Sequence, residues 1–312
     1  MSLLLENGAE VNAHVGVFGN ALQGASWRGR KGAVKLLLQK GANVNAQGGH
    51  FGNALQAAAW GCHKDTVELL LQSGADVNAE GGEYGNALQA ASWGGYTEIV
   101  EALLKKGADA NAQGGDYGHA LFRASSGGHE GIVLALIDAG AKIDVQGGVF
   151  GNALQAAAWG GQMAVVNLLL DGGAHVNAPG GVYGGALYRA AERGPKATVE
   201  RLLRAGADVN AQGGLHGSSL QAASAGGHKA IVELLMEKNA DVDAPGGVYG
   251  SALRAASAEG HKEIEELLLK RRVDNNGWIG TCSTVVQRGW ASITIAMSLG
   301  DLVAAVTLAV GV

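Results

Sequence analysis

The sequence predicts an all-α solenoid, a row of stacked helix–turn–helix units, on three observations. The ten-residue string GNALQAAAWG stands at Gly52–Gly61 and again at Gly151–Gly160, and reads GNALQAASWG at Gly85–Gly94. Weaker copies begin at Gly19, Gly118, Gly184, Gly217 and Gly250, so eight starts follow one another at 33-residue intervals without an insertion. Behind the starts, apolar residues recur at helical spacing and end on a glycine, as in Val67, Leu70, Leu71 and Gly74. A fixed period of roughly 20–50 residues signifies stacked supersecondary units rather than one globular core.

The unit from Gly52 to Tyr84 shows the elements in order. Asn53 is an N-cap for a short helix over Ala54 to Trp60, and Asn20, Asn86 and Asn152 repeat it. Gly61, Cys62 and His63 turn the chain into a second helix, whose Val67, Leu70 and Leu71 form one apolar stripe at i, i+3, i+4. Gly74 stops that helix as a C′ glycine. In the following ADVNAEGGEYG, the Gly81-Gly82 pair and the adjoining aromatic predict a tight extended finger before the next N-cap at Asn86. Such helices are shorter than the roughly 12–15 residues at which isolated helices become even marginal in water. Neighbouring units must therefore stabilise one another.

Composition bounds the function. Hydrophobic residues make up 47% of the 312 and charged residues only 16%, against roughly a quarter in ordinary soluble domains. The 52 glycines fall in fixed columns and so mark turns and caps, and three prolines argue against a disordered linker. A net charge of −5 without a basic stripe gives no electrostatic support to nucleic-acid binding. Two cysteines, Cys62 and Cys282, cannot build a disulfide framework and suit a reducing compartment. The opening MSLLLENGAEVN has too short an apolar run and an acidic flank for a signal peptide, so a cytoplasmic protein is expected.

Both ends depart from the period. Leu3 to Ala13 align with Leu69 to Ala79, which makes residues 1–13 a partial first repeat whose first helix is missing. The repeat array is expected over 1–274, with its last hairpin ending near Arg272, and a non-repeat apolar tail over 275–312. Fraying is expected at both ends, as in a fragment of a larger protein. Ala291 to Val312 is long enough to span a bilayer at about 1.5 Å per residue. Asp301 near its middle, at a cost of about 2.5–3.5 kcal/mol, argues against insertion.

The strings GADVNA at Gly74–Ala79 and Gly206–Ala211, IVELL at Ile231–Leu235, and the Gly-His turns at His129, His228 and His261 resemble the ankyrin repeat. The resemblance covers about Ser2 to Asp274 and implies an ankyrin-repeat solenoid that binds proteins through a concave face. The family usually opens its first helix with T-P-L-H, where this chain has N-A-L-Q. That departure, with the GG-x-aromatic-G finger, is similar to the ankyrin arrays of filamentous fungi, often appended to NACHT-type NTPases. By this resemblance the chain is a recognition or regulatory arm.

Candidate chemistry is thin. The finger strings GGVYGG at Gly180 and GGEYG at Gly81 lack the strand and the acidic or Lys/Ser/Thr partner of a phosphate loop, and their recurrence marks them as structural. The turn histidines His63, His129, His228 and His261 lie on units about 10 Å apart, too far to share a metal with bonds of about 2 Å. They are expected to bond turn backbone. Ser92, Ser125, Ser224 and Ser257 alternate in their column with Ala59 and Ala158, which no catalytic serine would do. No enzyme, no metal and no cofactor is expected.

Three columns could meet a ligand. Gln23, Gln56, Gln89, Gln155 and Gln221 are expected instead to satisfy backbone groups at the helix start. The finger aromatics, such as Phe51 and Tyr84, are expected to pack finger on finger. Trp27, Trp60, Trp93 and Trp159 close the first helix, and their column continues as Ser126, Glu192, Ala225 and Ala258. A core position would not accept Trp, Ser and Glu in turn, so the column should be partly exposed. Two roles stand open for it: contact with a partner, or packing over neighbouring fingers. The candidate partner-binding residues are Trp27, Trp60, Trp93 and Trp159, with His50, Glu83, Asp116 and Val149 beside them on the fingers for selectivity. The N-terminal half is expected to be aromatic and the C-terminal half more polar. The leading reading is a non-enzymatic protein–protein interaction module; the second is a membrane-tethered scaffold anchored by the tail.

Overall fold

The computed structural model describes residues 6–14, 16–115, 118–147, 151–180 and 183–286, those from 275 on by backbone alone. Asn53 takes an extended backbone and its side chain accepts from the Gln56 backbone N–H, which starts α3 (Ala54–Trp60). The same cap starts α1 (Ala21–Trp27), α5 (Ala87–Gly94) and α9 (Ala153–Gly160), and Ser218 serves for α13 (Ser219–Ala225). The remaining first helices are α7 (Ala120–Gly127), α11 (Ala186–Arg193) and α15 (Ala252–Ala258). Between them run the second helices α2 (Lys31–Gln39), α4 (Lys64–Gln72), α6 (Thr97–Lys105) and α8 (Glu130–Asp138). The series continues as α10 (Met163–Asp171), α12 (Lys196–Arg204), α14 (Lys229–Glu237) and α16 (Lys262–Val286).

First helices pack on first helices and second on second, which gives two layers joined within each unit. Alanine favours close approach in the first layer, where Ala57, Ala58 and Ala59 are fully buried. Each second helix contributes an aliphatic stripe, such as Val67 and Leu70, to a core that runs continuously from Leu22 to Leu268. The expected fingers are present as isolated antiparallel bridges, for example Gly81 with Gly85. Successive fingers hydrogen-bond, with His50 N–H donating to Val17 and Glu83 N–H to His50. Gly82 makes that approach possible, because a Cβ there would stand 2.5 Å from the Phe51 carbonyl carbon.

The last helix differs from expectation. It runs to Val286 rather than stopping near Arg272, so helical backbone continues past Asp274, where the period is lost. Leu3 to Leu5 and Ala291 to Val312 lie outside the described residues, and with them the expectations about those segments. Among the described residues no helix is long and apolar enough to cross a membrane.

One turn carries strain. Cys62 has φ of 60°, in a column where Gly29, Gly95 and Gly128 hold similar positive values. A side chain in this region costs roughly 1–2 kcal/mol, partly offset by the greater unfolded-state freedom of glycine. Cys62→Gly is expected to stabilise the chain by about 0.5–1 kcal/mol, read as a higher urea midpoint at unchanged slope.

Candidate functional site

The two polar columns first read as possible ligand contacts bind the array to itself. Gln56 Oε1 accepts the Asn53 N–H at 2.9 Å, completing a reciprocal cap. Its Nε2 reaches the next finger, donating to the carbonyls of Ala79 at 3.3 Å, Gly81 at 3.0 Å and Gly85 at 2.7 Å. Gln23 makes the same set one unit earlier. His63 Nε2 donates to the Trp27 carbonyl at 2.9 Å, and His228 and His261 repeat the bond at 3.0 Å. The turn histidines thus do bond backbone, but that of the preceding unit. Among the described residues no cluster of side chains could hold a metal.

A third ladder gave no signal in the sequence reading. Asn45 accepts from Asp76 N–H at 2.8 Å and donates to Gly74 at 3.1 Å, and Asn78 does the same to Asp109 and Gly107. The recurrent asparagine of V-N-A could have revealed it, being a polar residue held at one register beside the helix-stopping glycine. Ser92 and Ser125 hydroxyls are buried beneath the first layer, closed to any substrate.

The tryptophan candidates lie on the face made by first-helix ends and fingers, and the structure divides them. Trp27 is half-buried and stacks on Phe18 at 5.2 Å and Phe51 at 5.7 Å. Trp60 is half-buried on Tyr84, with ring centroids 4.0 Å apart. These two pack against fingers. Trp93 and Trp159 are 42% and 40% exposed, and each lies beneath arginine: Arg123 is 4.5 Å from the Trp93 ring, and Arg193 is 4.9 Å from that of Trp159. Of the selectivity candidates, His50 and Glu83 pair with each other at 3.2 Å, while Asp116 and Val149 lie outside the described residues.

The expected polar C-terminal half needs correction. Leu215 and Val248, at the finger position of His50 and Glu83, are 60% and 61% exposed, and Tyr183 is exposed beside them. With Trp159, Tyr188, Arg189 and Arg193 they line an open groove of about 850 Å³. Burial raises the Tyr188 phenol above its ordinary pKa, and its oxygen accepts from His216 N–H at 3.1 Å. The apolar surface continues past Glu192 because the fingers supply it after the tryptophans stop.

The comparisons agree with this architecture. A family model described as ankyrin repeats in three copies matches residues 1–81, 22–114, 55–147, 87–180, 121–213 and 187–277. The chain belongs to the ankyrin-repeat family. Among solved structures it is similar to the crystal structure of the human ASB11 ankyrin repeat domain, at 25% identity and a TM-score of 0.63, covering 70% of this chain and 97% of that one. A search of curated proteins finds no match.

Proposed function

We propose that the chain is a non-enzymatic recognition module that binds a protein partner on the face formed by its first-helix ends and fingers. The observation that carries this reading is the row of exposed apolar side chains from Trp93 through Trp159 and Tyr183 to Leu215 and Val248. Side chains in such a row have no folding reason to face water, and aromatic and arginine groups together have the composition of binding hot spots. The polar columns favour binding over catalysis, since glutamine, histidine and asparagine are committed to backbone groups of adjacent units. The resemblance to ankyrin arrays adds to this reading a role as recognition or regulatory arm inside the cell.

Site-specific photocrosslinking tests it. A photoreactive residue at position 215 is expected to form adducts with a bound protein, and one at position 105, on the exposed side of the second-helix layer, is not. Adducts from position 105 alone would place the partner on the opposite face.

A further inference from the structure

The first-helix layer holds a pocket of about 400 Å³ at the one break in the tryptophan column. It is lined by Trp93, Ser126 and Trp159 together with Phe122, Gly127 and Ala156, of which Phe122 and Ala156 are buried. The unit around it departs from the repeat at several columns together. Phe122 replaces the capping glutamine, Arg123 replaces the alanine of Ala57, Ala90 and Ala156, and Ser126 replaces tryptophan. Two units on, Tyr188 and Arg189 repeat the first two changes, so that two arginines approach the pocket from either side of Ala156.

The arginines give the pocket its chemistry. Arg123 and Arg189 are only 3% and 6% exposed, and among the described residues no acidic side chain lines the pocket with them. Arg189 shares its Nη1 with Glu192 at 3.3 Å, but its Nε–H is buried without an acceptor among the described residues. A buried donor in this state gains from an anion, and a charge-assisted bond is roughly twice as strong as a neutral one. The rest of the lining is aromatic and aliphatic, and ligand pockets of about 300–1,000 Å³ with few polar groups suit one bulky apolar group.

We propose that this pocket receives an aromatic side chain of the partner polypeptide, with the carboxylate of an adjacent acidic residue meeting Arg189. The inference rests on the protein-binding reading above and names the partner's chemistry at that face. The ring occupies the break in the column, against Phe122 and between the two tryptophans. The carboxylate supplies an acceptor for the Arg189 Nε–H.

The test is titration of the full chain with acetylated, amidated heptapeptides whose central residues are Glu-Trp-Glu, Gln-Trp-Gln or Glu-Ala-Glu, read by NMR at the indole N–H signals. The first is expected to bind and shift Trp93 and Trp159, with the other two at least about 10-fold weaker. Ser126→Trp restores the residue of neighbouring units, occupies or covers the pocket, and should abolish binding while the melting temperature holds. Should that variant not fold, Arg189→Gln takes its place and is expected to remove the preference for Glu over Gln. Failure of the Glu-Trp-Glu peptide to bind, equal affinity of the three peptides, or Glu-Trp-Glu binding retained in Ser126→Trp would overturn the proposal. A protein partner that still crosslinks from position 215 in Ser126→Trp would overturn the pocket and leave the protein-binding reading standing.

Discussion

Gln56→Ala is expected to destabilise the array by roughly 3–5 kcal/mol, because each polar group left unsatisfied in a buried site costs about 1–3 kcal/mol. The side chain is almost wholly buried and serves four backbone partners: the Asn53 N–H and the carbonyls of Ala79, Gly81 and Gly85. Alanine satisfies none of them. Two consequences should separate in measurement. The urea midpoint falls, and hydrogen exchange rises in the units beginning at Gly52 and Gly85 while the last units stay protected, since a linear array couples only neighbours. A loss below about 1 kcal/mol would mean that water replaces the amide without penalty.

The second large effect concerns the tryptophan column, whose members are expected to respond in opposite ways. Trp60→Ala should cost roughly 2–4 kcal/mol, somewhat below the 3–5 of a fully buried indole, because it removes the ring stacked on Tyr84 and packed against the core. Thermal melting reads it directly. Trp93 lies nearly half in water, so its removal should hardly move the melting temperature.

The reasons for that division lie outside the ten-residue string that carries each tryptophan, which is why the column is uniform in the sequence. Trp60 and Trp93 follow the same string and close equivalent helices. Their surroundings differ through residues outside that string: Tyr84, on the finger of the same unit, lies against Trp60, while Arg123 of the next unit lies over Trp93. The period, the asparagine caps and the aliphatic stripe were legible because each is a local pattern with one physical meaning. Gln56 was legible as a backbone partner at its own helix start, but its reach to Gly81 and Gly85 needs the stacking geometry. The same holds for His63, whose acceptor stands in the preceding unit. The tryptophan column does not announce the exposed Leu215 and Val248, because it ends before Glu192 while the variable finger position continues in register beyond it. In α16, helical backbone continues to Val286 beyond Asp274, so the end of the repeat register did not decide the helix boundary.

The central claim, that the exposed row is a binding face, is tested most directly by Trp93→Ala combined with Trp159→Ala, assayed for capture of a bound protein and for thermal melting together. The account predicts that partner affinity falls by about 30-fold or more, the effect of one lost hot spot of about 2 kcal/mol, while the melting temperature stays within about 2 °C. Undiminished capture by a folded double variant would contradict it.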